Sequence, residues 1–138
     1  MTNLLPAYLE VLQRHVRAET MHDMEATLVT LTPDCVFDDV PTGTLYRGHD
    51  EVRAYYQRWW SAFGNTPERN RRYVSDPATL IVETHFVGAH VGAWEGVLPT
   101  GRAIDLPVVI VVSFADGLMS GERFYYDRAT LQAQLRGQ

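Results

Sequence analysis

The sequence predicts a cone-shaped α+β barrel, three N-terminal helices packed on a curved antiparallel sheet. Three observations carry this. Apolar residues recur at helical spacing through the first 63 residues, strand-like runs fill residues 80–126, and tight turn signatures separate those runs. Helices first and strands afterwards is the order of an α+β domain whose helices cover one face of an antiparallel sheet.

In the N-terminal part, Leu5, Tyr8, Leu9, Leu12 and Val16 mark a first helix to about Ala18, with Asn3 as its expected cap and Pro6 in its first turn. Asp23 caps a second, carrying Met24, Thr27, Leu28 and Leu31 and stopped by Thr32-Pro33-Asp34. Cys35 to Val40 reads as a strand, ended by Pro41 and Gly43. Val52, Tyr55, Tyr56, Trp59, Trp60 and Phe63 form a third, aromatic helix with Gly64 as its stop. A polar loop is expected over 65–70, then strands over Leu80–Trp94, Ala103–Phe114 and Leu118–Tyr126. Pro99-Thr100-Gly101 and Asp116-Gly117 supply the turns, and Arg128 to Leu135 a short closing helix.

With 138 residues the chain has room for one core, so residues 1–138 are expected to form a single domain. Hydrophobic residues make up 46% and charged residues 21%, the composition of a globular domain. A net charge of −5 argues against a nucleic-acid partner, and the Arg69, Arg71, Arg72 cluster reads as a solvated loop. Val108 to Val112, the longest apolar run, is far short of the about 18 residues of a membrane span. A single cysteine, Cys35, and an N-terminus without a basic-then-apolar pattern make the cytoplasm the expected location.

Two aspartates draw attention first. Phe37 and Asp39 share one face of their strand; if Phe37 faces inward, Asp39 loses hydration, its pKa rises, and it becomes a usable general base or acid. The competing reading is a turn-capping residue beside Pro41. Asp127 follows Phe124-Tyr125-Tyr126 and either caps the last helix or projects into a cavity with Tyr125 and Arg123 at the same strand parity. His85 and His90 lie at opposite parity on one strand, so one cavity cannot take both without a bulge; His15 falls on the inner face of the first helix. Tyr56, Trp59, Trp60 and Trp94 are core or cavity lining. No helical i, i+4 histidine pair marks a metal site, and nothing marks a nucleophilic thiol or phosphate loop.

Several motifs together resemble the nuclear-transport-factor-2-like (cystatin-like) superfamily, specifically its SnoaL-like polyketide cyclase and limonene-epoxide-hydrolase branches. They are Val36-Phe37-Asp38-Asp39-Val40-Pro41 with Gly43 and Gly48, Leu98-Pro99-Thr100-Gly101-Arg102, and Phe114-Ala115-Asp116-Gly117 through Tyr125-Tyr126-Asp127, closing with Leu131 and Gln134-Leu135. The resemblance spans nearly the whole chain. It implies that Asp127 is the acid-base residue ending the last long strand, that Asp39 matches the proton-shuttling aspartate of the ketosteroid isomerases, and that His15 stands where those enzymes place an oxyanion-stabilising tyrosine. The chain also departs from its relatives. The Arg-x-Asp pair of the epoxide hydrolases falls on Val91 and Ala93, their water-binding tyrosine on Phe37, and the second acid of the isomerase oxyanion hole near Ile110.

These readings lead to a cofactor-free and metal-free cyclase or isomerase for a small hydrophobic, carbonyl-bearing or polyketide-like substrate. Asp127, Asp39, His90 and His85 are its candidate catalytic groups, and His15, Phe37, Tyr56, Trp59, Trp60, Trp94 and Tyr125 its candidate substrate contacts. Such chemistry needs no metal, because the substrate carbonyl stabilises the carbanion as an enolate once a base and a hydrogen-bond donor are positioned. Epoxide opening, by water or by an internal hydroxyl, is an alternative. So is a non-catalytic ligand-binding or dimerisation module. The resemblance further implies a homodimer formed through the outer sheet face.

Overall fold

The computed structural model describes residues 2–138. Helices α1 (Pro6–Thr20) and α2 (Met24–Leu28) lead into strands β1 (Leu31–Asp39) and β2 (Thr44–Arg47). Helix α3 (Gly48–Phe63) follows, then β3 (Thr66–Asp76), β4 (Thr79–Ala89), β5 (Ala103–Ala115), β6 (Leu118–Tyr125) and α4 (Arg128–Arg136). The strands form one open sheet in the order β2-β1-β6-β5-β4-β3. Neighbours are antiparallel except β1 and β6, which run parallel, so the sheet is mixed rather than wholly antiparallel.

Local chemistry explains each element. Pro6 occupies the first turn of α1, where its missing N–H costs nothing; Leu5 holds the cap position without a side-chain bond, leaving Asn3 upstream. Asp23 caps α2 by accepting from Ala26 N at 3.1 Å. That helix ends at Leu28, earlier than its apolar spacing suggests, because Thr30 and Leu31 are drawn into the sheet: Met119 N donates to Thr30 O at 2.9 Å. Pro33 is tolerated in β1 because it is exposed and falls where the register with β6 shifts, between Leu31 and Val36. Gly64 takes φ 55° and ends α3 in the left-handed conformation that glycine adopts without strain.

The expected loop over 65–70 is instead the start of β3, an edge strand bonded to β4 alone. Its Glu, Arg and Asn residues read as a loop, yet polar, charged strands are how sheets blunt an open edge. A bulge between Glu68 and Arg71 puts Arg69 at φ 55°. Strand β4 stops at Ala89 rather than Trp94. The backbone N–H groups of Val91 and Gly92 donate to Ala62 O at 2.8 and 3.0 Å, so residues 90–101 leave the sheet and strap across the end of α3.

The core lies between the inner sheet face and α1 and α3. Val11, Leu12, Leu28, Phe37, Tyr55, Trp59, Phe63 and Phe124 are among its fully buried members. No described helix is long and apolar enough to cross a membrane.

Candidate active site

A fifteen-residue α1 sets His15 and Glu19 one turn apart on the face turned to the sheet. Strand β6 alternates so that Glu122 and Phe124 point inward while Arg123 and Tyr125 point outward. Helix α3 brings Tyr56 to the same place. The result is a buried polar centre. His15 Nε2 lies 3.3 Å from the Tyr56 hydroxyl, 3.4 Å from Glu19 and 3.5 Å from Glu122. Tyr56 donates to Glu19 at 3.0 Å.

The imidazole is held from behind. Thr30 gives its hydroxyl proton to Thr27 O at 2.6 Å, so at 2.7 Å it can only accept from His15 Nδ1–H. That bond fixes the ring and turns Nε2 toward the carboxylates. Burial would depress the His15 pKa, but Glu19 first and then Glu122 outweigh it and push it up to about 10, leaving an imidazolium at neutral pH. Glu122 is pushed above the usual carboxylate range by burial, against the pull of His15, its one polar partner among the described residues.

Glu122 and His15 line a cavity of about 30 Å³, walled by Leu12, Val16, Val82, Ile110 and Val112 and lined also by Asn70, Arg72 and Thr84. That is room for one or two waters. A second space of about 30 Å³, lined by Tyr55, Tyr56, Trp59, Trp60 and Phe86, shares Glu19, Pro67 and Ile110 with the first. The interior is thus two small adjoining compartments with Glu19 between them.

Asp39 forms a separate centre. It is fully buried on the same strand face as Phe37. The Tyr126 hydroxyl donates to its carboxylate, 2.9 and 3.1 Å from the two oxygens, and Arg58 lies 3.8 Å away. Burial raises the Asp39 pKa, opposed chiefly by the Tyr126 bond. Arg58 stacks over Trp94 at 4.0 Å and pairs with Glu95 at 3.3 Å; Arg128 and Gln132 bond the same Glu95 at 3.0 and 2.9 Å. The strap is thereby tied over this end of the core. Asp39 lines neither compartment.

The other residues singled out from the sequence are dispersed. Asp127 is exposed and caps α4, accepting from Ala129 N at 2.9 Å and Thr130 Oγ1 at 3.1 Å, so its carboxylate is turned away from both compartments. Tyr125 and Arg123 lie on the outer face because strand parity sends them there; Tyr125 is 42% exposed. His85 is also outside, 2.6 Å from Asp105. His90 is buried beyond the end of β4, where its Nδ1 accepts from Thr100 N at 3.2 Å and its Nε2 has no partner. Phe37 packs edge-on against Tyr55, Tyr56 and Phe124 as core. Of the sequence candidates, His15, Tyr56, Trp59 and Trp60 border the compartments.

Sequence reasoning passed over Glu19, Glu122, Thr30, Tyr126 and Arg58. One signal was present: His15 and Glu19 stand at i, i+4 on one helix face. His15, Glu19 and Glu122 also offer three donor atoms within 4.8 Å of one another, close enough for a divalent ion. An imidazolium has no lone pair at Nε2 to give, so proton and metal are alternatives at that atom.

An open sheet folded around helix-borne side chains, with titratable groups on a small interior cavity, defines an α+β protein with a polar centre inside its fold. The sequence pattern of the SnoaL-like polyketide cyclases matches residues 9–135, and the chain belongs to that family. No functionally curated protein matches it. Among solved structures it is similar to a candidate polyketide cyclase from Xanthomonas campestris (19% identity, TM-score 0.84, covering 94% of this chain and 96% of that one). It is also similar to one from Pseudomonas putida (20%, TM-score 0.81, 97% and 98%). A third is a Catenulispora acidiphila protein of ketosteroid isomerase-like fold, solved with trimethylamine (16%, TM-score 0.76, 94% and 94%). The fold is therefore that of the nuclear-transport-factor-2-like and ketosteroid isomerase-like proteins.

Proposed function

We propose that the protein is a small-molecule cyclase or isomerase that works by acid-base catalysis at Glu122 and His15. The observation that carries this reading is Glu122: a buried carboxylate lining a cavity, with no polar partner among the described residues except an imidazolium 3.5 Å away. A base kept short of donors and pushed up by burial is suited to take a proton from carbon.

In the proposed reaction Glu122 removes the proton α to a substrate carbonyl, and the C–H electron pair becomes the enolate. His15 Nε2–H donates a hydrogen bond to the developing oxyanion, while Tyr56, whose hydroxyl donates to Glu19, borders the site. The enolate carbon then attacks a second carbonyl of the same molecule, whose π pair becomes an alkoxide that takes the proton back from Glu122 as the ring closes; alternatively the enolate is reprotonated by Glu122 at another position, giving an isomer. Thr30 is a positioning residue acting through His15. The compartments limit the reacting segment to a small acyl or alkyl portion with apolar flanks. For the assembly, we propose a homodimer through the outer sheet face, where Val109 and Tyr125 are exposed.

The test is deuterium exchange at the α-carbon of small β-diketones, followed by NMR. Glu122→Gln should lower catalysed exchange by about 10² or more, and His15→Gln by a similar factor. Exchange undiminished in Glu122→Gln would refute the assignment.

A further inference from the structure

The helical side of the molecule carries a groove that neither polar centre uses. It runs between the second half of α1 and the short α2, around a space of about 270 Å³. Arg14, Arg17 and Met21 form one rim, Ala26 and Val29 the other, and the buried Ala18 and Thr30 lie at its floor. We propose that this groove docks an acidic amphipathic helix of a partner protein.

Shape favours a helix over a small molecule. The space falls below the about 300–1,000 Å³ of sites that enclose a ligand. Met21 and Val29 are 72% and 60% exposed, so the groove is open to solvent along its rims. Exposed apolar side chains gathered in one groove and edged by charge mark an interaction surface. Arg14, Arg17 and Met21 follow one another at intervals of three and four residues, so this rim runs along α1 for about 10 Å, two helical turns. A helix lying beside it presents its own side chains at the same spacing, apolar ones inward and charged ones at the flank. The alanines leave room for close approach, and the flexible Met21 adapts to the side chains it meets.

Charge selects the sign of the partner. Arg53, Arg58, Arg69 and Arg128 each meet a carboxylate of this chain. Among the described residues no ion pair forms at Arg14 or Arg17, although acidic residues outnumber basic ones by 17 to 12. The one carboxylate of the lining, Asp23, is engaged at the cap of α2, where it accepts from Ala26 N at 3.1 Å. Two arginines one turn apart are thus left for acidic residues one turn apart on a neighbouring helix.

The experiment titrates the full chain at pH 7 and about 0.15 M salt, where only local charges are felt, against a fluorescein-labelled amphipathic peptide. The peptide has about 18 residues, with leucines every three to four positions and glutamates flanking them. A control peptide keeps the leucines and carries lysine at every glutamate. By anisotropy, the glutamate peptide is expected to saturate and to bind at least about tenfold more tightly than the lysine peptide. The overall charge of −5 opposes that order, so the preference reports the groove. Arg14→Gln with Arg17→Gln should remove most of the preference, and Val29→Glu should weaken the glutamate peptide about tenfold or more. All three positions are exposed, so these variants should keep a cooperative thermal transition. Equal affinity for the two peptides, no saturable binding, or a preference undiminished in the double arginine variant overturns the proposal. So does binding to phosphatidylglycerol vesicles in place of the peptide, which makes the occupant a lipid surface, or self-association abolished by Val29→Glu, which makes it a second copy of this chain.

Discussion

His15 holds its proton because two carboxylates share it, and this ties stability to pH. Its pKa rises from 6.5 unfolded to about 10 folded. A group raised on folding contributes its full stabilisation below the unfolded value and loses it as pH climbs through the folded one. Denaturant midpoints should therefore fall between about pH 6.5 and 10, and His15→Gln should flatten that slope. Asp39 calls for a different measurement. Removing the Tyr126 hydroxyl leaves a buried carboxylate short of its main donor, so Tyr126→Phe should cost about 1–3 kcal/mol in urea unfolding. Asp127→Asn should leave α-proton exchange within about twofold of wild type, because asparagine caps a helix nearly as well. At the Nε2 of His15, EDTA should leave exchange unchanged, while added Zn²⁺ should inhibit by displacing the proton.

Among the elements, β6 shows what decides a site. The sequence singles out Arg123, Tyr125 and Asp127, although Glu122 and Phe124 at the opposite parity mix charge with aromatic surface just as well. Alternation is visible in sequence, but which parity faces inward depends on how β6 docks between β1 and β5. The docking has a local marker. Gly121 backs directly onto Val36 O of β1, and a Cβ there would strike that carbonyl. Gly88 meets Phe63 O in the same way, where the end of α3 presses on β4. Gly88→Ala should therefore destabilise by about 1–3 kcal/mol through overpacking, measured as a shift in unfolding midpoint without loss of cooperativity. The aromatic helix α3 and its glycine stop were legible because both signals are local.

For the whole molecule, helix order, turn signatures and the long C-terminal strands sufficed for the architecture. The polar edge strand β3 and the strap over 90–101 did not show, because each is defined by its partner: β4 for the first and the end of α3 for the second. Two distant acidic groups were expected to meet in one cavity. Instead the interior polar groups divide into the Glu122–His15 centre and the buried Asp39–Tyr126 pair, a partition that only tertiary packing creates. If the outer sheet face joins two copies, light scattering should give twice the chain mass, and Val109→Glu with Tyr125→Glu should return it to the monomer value.

The parallel pairing of β1 with β6 also governs how the chain reaches this state. Val36 lies against Gly121, so a strand formed early must wait for nearly the last segment before its second edge is filled. During synthesis the N-terminal helices and β1 leave the ribosome without the surface they cover, and long-range closure of this kind slows folding. Chains truncated before Leu118 should accordingly lack a cooperative thermal transition and depend on chaperones, whereas chains lacking only the residues after Gly137 should fold as the full protein does.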